Sequence, residues 1–197
     1  MENKIQGYLA FAAVLVFGLI VLVRLFMLKK QGIKGMLFGK IRKKDYWLAP
    51  FAFFYIYRLF AYAFPTVLLH MEYRLPILES EISAIGWIGV NFCVLGLLLF
   101  VFALVSMGKS FRIGIDKQAQ GELVTKGIFV MSRNPIFLAI ALLLCGVFLA
   151  HWDGYFLAYF LLYLLCARKQ IRREEAALEE LYGEDYKAYK KKTRRYI

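Results

Sequence analysis

The chain is poor in the residues that bind metals or form disulfides, with three cysteines and two histidines among 197 residues. Cys93, Cys145 and Cys166 lie inside apolar runs and form no C-x-x-C pair, so we expect small buried side chains and no disulfide. The two histidines stand alone, and no cluster of histidine, cysteine and carboxylate residues has ligand spacing. The sequence therefore predicts no metal site.

Acidic residues are also scarce: 14 Asp and Glu stand against 26 Lys and Arg, which gives a net charge of +12. The basic residues are sorted by loop, which favours membrane topology over a nucleic-acid partner. Basic residues outnumber acidic ones by eight to one in residues 24–45, five to two in 108–134 and ten to six in 168–197, whereas residues 70–81 hold one basic and three acidic residues. By the positive-inside rule, the three basic regions face the cytoplasm.

Charge is missing altogether from residues 5–23 and 82–107. Each stretch is longer than the roughly 18 apolar residues that mark a membrane-spanning helix. The composition agrees, because 61% of the residues are hydrophobic, more than the roughly 50% of soluble domains. The sequence predicts an all-α, polytopic integral membrane protein, and we expect the first apolar run to be a retained span rather than a signal peptide.

Five membrane segments are predicted, at residues 5–28, 46–69, 85–107, 135–150 and 154–168. Only the sequence HWDG separates the last two. At roughly 1.5 Å per residue, each of these two reaches ~24 Å, less than the ~30 Å hydrocarbon core. We therefore expect a short helical hairpin whose open ends face the cytoplasm. The N-terminus then lies on the opposite side of the membrane and the C-terminus in the cytoplasm.

The predicted division is into residues 1–107, with three transmembrane helices, and residues 108–197, with a loop, the hairpin and a cytoplasmic C-terminal helix. Apolar and aromatic residues recur in that last helix at spacings of three, four and seven, with Gly183 as a predicted break. Such a stripe is typical of a helix that lies at the membrane interface.

Arg58 falls in the middle of the second predicted segment, too deep to reach either membrane face. A lone central arginine costs roughly 2.5–3.5 kcal/mol, so we expect its side chain to face the protein interior with a partner. A structural ion pair and contact with an anionic substrate or headgroup are both compatible with the sequence.

Two polar stretches are predicted to meet at the cytoplasmic end of the hairpin. In Ser132–Pro135, the proline near the first turn of a helix leaves free N–H groups. Glu174 and Glu175 follow the fifth segment, and neighbouring side chains point about 100° apart on a helix. One carboxylate is thus able to face inward and accept hydrogen bonds from hydroxyl or amine groups while the other stays in water. A solvated charge cluster is the alternative.

Taken together, LVTKGIFVMSRNPIFLA (residues 123–139), a short hairpin and REEAALEELYGEDYKAYKK (residues 173–191) resemble the isoprenylcysteine carboxyl methyltransferase and phospholipid methyltransferase superfamily. The resemblance covers about residues 108–192. The matching positions are Leu123, Val124, Thr125, Gly127, Arg133, Pro135, Glu174, Glu175, Leu178, Gly183, Tyr186 and Tyr189.

The resemblance implies a membrane-embedded enzyme that binds S-adenosylmethionine from the cytosol and takes a lipophilic or lipid substrate from the bilayer. It assigns cofactor binding to Gly121, Glu122, Leu123, Val124, Phe129, Asn134, Pro135, Ile136, Phe137 and Glu174. A family arginine that contacts substrate falls at Gln170, with Arg173 nearby. Arg58 is the third candidate for substrate binding.

The chain departs from the family pattern where a histidine becomes Asn134 and two tyrosines become Phe129 and Phe137. The aromatic wall and a hydrogen-bonding side chain are kept, while a group that titrates near neutral pH is lost. Methyl transfer tolerates this, because it depends on alignment and exclusion of water. The loss favours an acceptor that needs no base from the enzyme, such as a carboxylate or a thiol deprotonated elsewhere.

The sequence thus favours an S-adenosylmethionine-dependent methyltransferase. A sterol-reductase-like enzyme that uses NADPH is one alternative, since such reductases share a related C-terminal hairpin. A non-catalytic membrane component of the same fold is another, and the altered histidine and tyrosine positions motivate it.

Overall fold

The computed structural model describes residues 2–32, 55–61, 83–111 and 122–196. Within these ranges the chain forms helices joined by loops and contains no strand, which confirms the predicted all-α class. The helices are α1 (Glu2–Lys30), α2 (residues 55–61), α3 (Ser83–Met107), α4 (Pro135–His151), α5 (Gly154–Tyr182) and α6 (Glu184–Lys192), with 3-10 turns at Gly108–Ser110 and Gly127–Val130.

The predicted segments at residues 5–28, 85–107 and 135–150 are confirmed as helices, and Arg24 near the end of the first is the one charged residue within them. Only α2 of the second predicted segment is described, and the rest of residues 46–69 lies outside the described ranges. The fifth segment is the first half of α5, which continues without a break for 29 residues.

Within the described ranges, two helices are long and apolar enough to cross a membrane: 26 residues of α1 and 24 residues of α3. Helix α4 is also apolar but has only 17 residues. Along α1, the side chains of Leu15, Leu19, Leu22 and Phe26 are exposed on the outside of the protein. An apolar face of this kind is stable in lipid and not in water, as expected for a membrane protein.

Glycine allows α3 and α4 to pack backbone against backbone. A Cβ atom added to Gly89 would lie 2.6 Å from the carbonyl oxygen of Gly146, and one added to Gly96 would lie 2.8 Å from that of Ala139. Between them, the buried Cys93 thiol donates to the carbonyl of Leu143 at 3.7 Å. Small residues at such contacts are the usual means of helix association in membranes. Because Gly89 faces Gly146 while the later residue Gly96 faces the earlier residue Ala139, α3 and α4 are antiparallel.

Helices α1 and α3 run parallel. Near their starts, Gln6 of α1 lies against Gly86 of α3. At their other ends, the Arg24 guanidinium of α1 donates to the carbonyl oxygen of Gly108, directly after α3. That carbonyl belongs to the negative end of the α3 helix dipole, so a cation beside it is favourable.

The tight connection between α4 and α5 uses a left-handed residue. Trp152 has φ +47°, and its N–H donates to the carbonyl of Phe148 at 2.7 Å. Asp153 then caps α5 by accepting a hydrogen bond from the Tyr155 N–H at 2.8 Å. At the far end, α5 stops at Gly183 with φ +54°, which confirms the predicted break.

Candidate functional site

The polar sequence Ser132–Asn134 meets α5 at the Glu175 carboxylate, which is only 4% exposed. Arg133 donates to its Oε1 from Nε at 3.3 Å and from Nη2 at 3.0 Å. The Asn134 amide donates to the same oxygen at 3.4 Å. From the other side, Arg195 donates to both oxygens from Nε at 3.1 Å and to Oε2 from Nη2 at 2.6 Å. One buried carboxylate therefore joins three separate parts of the chain.

Two opposing effects act on the pKa of Glu175. Burial alone would raise the pKa, but the hydrogen bonds and positive charges of Arg195 and Arg133 outweigh it and lower the pKa below the usual value. Glu175 is therefore ionised at neutral pH, and its charge is fully matched inside the protein.

The same polar sequence binds the backbone of the segment that follows α6, residues 193–196, which we call the strap. The Arg133 guanidinium donates to the carbonyl of Thr193, and its backbone N–H donates to that of Arg194, at 2.8 and 3.0 Å. The Ser132 hydroxyl and the Asn134 amide both donate to the carbonyl of Arg195, at 3.3 and 3.2 Å. These contacts fix the strap across the start of α4.

Glu174 lies on a different face of α5, towards the first turn of α4. Its carboxylate is partly buried and accepts a hydrogen bond from the Gln170 amide at 2.9 Å. Tyr163, an electrostatic neighbour of Glu174, donates from its hydroxyl to the carbonyl of Phe137 at 2.8 Å. Burial raises the pKa of Glu174, and the Gln170 hydrogen bond offsets only part of this rise. Among the described residues, no cation is paired with Glu174.

Helix α6 packs on the loop before α4. Its buried Tyr186 and Tyr189 form a small core with Phe129, against which Leu123 and Val124 of the loop also pack. The Tyr189 hydroxyl donates to the carbonyl of Phe129 at 2.6 Å. The aromatic stripe predicted to lie on the membrane surface thus packs at these positions against the protein, because Phe129 and its neighbours offer an apolar surface.

The turn that carries this loop requires glycine at position 127. Gly127 has φ +63°, and a Cβ atom there would collide with the Ser106 hydroxyl on α3. That hydroxyl accepts a hydrogen bond from the Ile128 N–H at 3.3 Å. The loop is thereby held on the end of α3, beside the start of α4.

The predicted cofactor residues fall into two neighbouring groups and some outliers. Leu123, Val124 and Phe129 lie together under α6. Asn134, Phe137 and Glu174 lie at the open end of the hairpin, where Asn134 contacts Glu175 and where Tyr163 contacts Phe137 and is an electrostatic neighbour of Glu174. Pro135 is buried as the first residue of α4.

Three further predicted cofactor residues are not brought into these groups by the described contacts. Ile136 packs instead against the core formed by Leu28 and Phe100. Glu122 is exposed, and Gly121 lies outside the described residues.

The sequence predicted that one of the two adjacent carboxylates faces the S-R-N-P sequence and left open which one. It is Glu175 that contacts Arg133 and Asn134. The rotation of α5 about its own axis decides between the two, since they point about 100° apart. Glu174 is not left in water either, because it turns towards Gln170 and Tyr163.

The three predicted substrate residues do not lie together. Gln170 holds Glu174, whereas Arg173 is exposed on the outside of α5. Arg58 is buried near the α4–α5 connection, where Asp153 is 3.8 Å away and the Tyr155 ring centre 4.6 Å away. Because α5 rises roughly 1.5 Å per residue, this pair lies about 33 Å from Glu175. A structural ion pair accounts for the burial of Arg58.

Sequence reasoning missed Arg195, Tyr163 and Asp153. Arg195 was visible only as one of many basic residues near the end of the sequence, and a helix break separates it from Glu175. Asp153 and Arg58 are 95 positions apart in the sequence, so only the fold brings them together. Among the described residues, no group of three His, Cys, Asp or Glu is placed to hold a metal ion.

Comparison with known proteins identifies the family. The phospholipid methyltransferase family model matches residues 84–185, just over half of the 197 residues. The match begins in α3 and includes the loop, α4, α5 and both glutamates, while the strap lies beyond it. No curated protein and no solved structure matched the chain. The chain belongs to the phospholipid methyltransferase family, a family of membrane methyltransferases.

Proposed function

We propose that this protein is an integral-membrane methyltransferase that uses S-adenosylmethionine and acts on a lipophilic acceptor. Family membership and the apolar helices α1 and α3 support this proposal. The observation that carries it is the Glu174 carboxylate, which is partly buried beside the first turn of α4 without a cationic partner among the described residues.

The residues around Glu174 suit this cofactor. A buried carboxylate whose pKa is raised gains from a ligand that brings positive charge or hydroxyl donors. S-adenosylmethionine has both, in its sulfonium and ammonium groups and in its ribose. Gln170 would keep the carboxylate in a fixed rotamer through the 2.9 Å hydrogen bond. Phe129, Leu123 and Val124 would supply an apolar wall under α6.

The role of the protein in the reaction is to align the reactants and exclude water. The cofactor, when bound, supplies a methyl group on a positively charged sulfur. The chain contributes fixed positions: Phe137 is tied to α5 by Tyr163, and Phe129 to α6 by Tyr189. Fixed alignment alone can supply several kcal/mol, roughly 7–11 in the best intramolecular cases, without an acid or a base.

We propose that the acceptor reaches this site from the bilayer. A carboxylate or a thiol deprotonated elsewhere needs no base from the enzyme, which suits Asn134 in place of a titratable residue. The name of the family adds a phospholipid to the candidate acceptors.

We also propose five membrane crossings, with the N-terminus outside and the site facing the cytoplasm. The parallel course of α1 and α3 supports a crossing between them, at the second predicted segment. Arg24, the start of α4 and the strap all lie at the same end of the bundle, and the positive-inside rule places this basic end in the cytoplasm.

Cofactor binding tests the proposal directly. Purified protein should bind S-adenosylhomocysteine in calorimetry and be stabilised by it in a thermal-shift assay, while NADPH should leave the melting temperature unchanged. Glu174→Gln should weaken binding by about tenfold or more, since a charge-assisted contact contributes about 1.5–3 kcal/mol. Glu180→Gln, an exposed change on the same helix, is the matched control.

Three outcomes would count against the proposal. Unchanged affinity in folded Glu174→Gln would remove Glu174 from the site. Stabilisation by NADPH alone would favour the reductase alternative. Binding of neither ligand at millimolar concentration would favour a non-catalytic membrane component.

A further inference from the structure

The strap lies beside the Glu175 carboxylate of α5 and has a neighbour in common with Glu174. Its Arg195 side chain binds Glu175 at 2.6 Å. Tyr196, the next residue, is an electrostatic neighbour of Tyr163, as Glu174 is. The strap and Glu174 therefore share Tyr163 as a neighbour, and Tyr163 contacts the first turn of α4.

The two arginines on Glu175 are not equivalent. The Arg133 side chain is 7% exposed and that of Arg195 is 37% exposed. Arg133 also donates to the carbonyls of Lys190 and Thr193, both at 2.8 Å, so it is held from several sides. Arg195 is therefore the one of the two arginines that can move away from Glu175 without exposing a buried guanidinium.

We propose that Arg195 is a positioning residue, which fixes Glu175 and thereby the neighbouring Glu174, and that the strap forms the outer wall of the cofactor pocket. The proposal rests on the proposed cofactor binding. With Arg195 in place, both oxygens of Glu175 are occupied and the end of α5 cannot rotate. Release of Arg195 opens the wall through which the cofactor exchanges.

The test compares Arg195→Ala with Lys191→Ala in the full chain, in nanodiscs. Lys191 is exposed on α6 just before the strap, so its change removes the same charge without touching Glu175. Arg195→Ala should raise the dissociation rate of S-adenosylhomocysteine about tenfold, as the loss of hydrogen bonds to a charged group implies. The association rate should also rise, but by less, because the opened wall speeds exchange in both directions while the misplaced Glu174 weakens binding. Lys191→Ala should leave both rates within about twofold of the wild type.

Arg195→Lys supplies the conservative variant. It keeps one charged contact to Glu175 Oε2 and should restore part of the slow dissociation. An equal effect of Arg195→Ala and Lys191→Ala, or a normal dissociation rate in Arg195→Ala, would overturn the proposal.

Hydrogen exchange without any cofactor separates this proposal from the proposed function. The Arg133 N–H is bonded to the carbonyl of Arg194, so its exchange reports directly on the strap. Arg195→Ala should speed exchange at Arg133 and leave α3 unchanged. If Arg195→Ala proves too unstable to purify, Ser132→Ala should have the same effect in a weaker form, because it removes one hydrogen bond to the strap together with one from the Asn134 N–H.

If the wild type binds no S-adenosylhomocysteine, the proposed function fails, whereas altered exchange at Arg133 would still show that Arg195 holds the strap. Unaltered exchange at Arg133 in Arg195→Ala overturns the role of Arg195 whatever the ligand.

Discussion

At the scale of single residues, two adjacent glutamates have opposite electrostatic situations. Glu175 is buried and bonded to two arginines, so its pKa is lowered. Glu174 is partly buried, and among the described residues the Gln170 amide is its only hydrogen-bond partner, so its pKa is raised. The sequence pattern predicted that an acid would meet S-R-N-P, but it did not indicate how α5 is rotated about its own axis. A rotation of about 100° would exchange the positions of the two glutamates.

We expect this contrast to appear as opposite effects on stability. Glu175→Gln leaves two guanidinium groups without their anion and should lower the free energy of unfolding by about 2 kcal/mol or more at pH 7. Glu174→Gln removes an ionised group that burial disfavours and should raise the free energy of unfolding at the same pH. Thermal unfolding in detergent measures both, with Glu180→Gln as the exposed control.

The pH dependence of the two effects differs in sign. The lowered pKa of Glu175 means that its stabilisation is complete above the unfolded carboxyl pKa of about 4.3 and is lost as the pH falls through the folded pKa. The raised pKa of Glu174 means that its destabilisation is absent below about pH 4.3 and develops as the pH rises through the folded pKa. A stabilising effect of Glu174→Gln that is equally large at pH 4 would contradict this account.

At the scale of helices, the structure depends on glycine where α3 meets α4. The sequence predicted both helices closely, because an uncharged run between charged residues defines a membrane helix almost by itself. It did not predict that Gly89, Gly96 and Gly146 allow the backbones to touch, since glycine is common in apolar helices for several reasons. A glycine that close packing requires is distinguished from the others only by the residue that faces it on the neighbouring helix.

Leucine substitution distinguishes a packed glycine from a free one. Gly96→Leu forces a side chain against the Ala139 carbonyl and should cost about 1–3 kcal/mol of stability, as overpacking does. Gly18→Leu on α1 is the matched control, because nothing lies within 4 Å of the added Cβ there. Thermal unfolding of both variants in the same detergent is the measurement, and equal melting temperatures would refute close packing at Gly96.

At the scale of the whole molecule, the sequence placed the two polar stretches at one end of the hairpin, and the contact of Glu175 with Arg133 confirms that they meet. It did not place the strap there. Arg195 reaches Glu175 only because the chain turns at Gly183 and α6 then packs on Phe129. Such a contact depends on three elements at once, so no local pattern indicates it.

The proposed topology predicts which positions are reached from outside the cell. In a variant without the three native cysteines, a cysteine at Glu184 should react with a membrane-impermeant maleimide only after the cells are opened. A cysteine at Glu2 should react on intact cells. The reverse labelling would refute the proposed orientation, and labelling of both positions on intact cells would refute the odd number of crossings.

Helix α5 is anchored near both ends by ionic contacts, to Arg58 through Asp153 and to Arg133 and Arg195 through Glu175. A helix that is held near both ends by the rest of the protein resists tilting and sliding when the surrounding bilayer becomes thinner or thicker. The lipids must then deform to match the protein, at a cost of fractions of a kcal/mol per Å. We therefore expect the position of Glu174 relative to the start of α4 to change little with lipid composition and bilayer thickness.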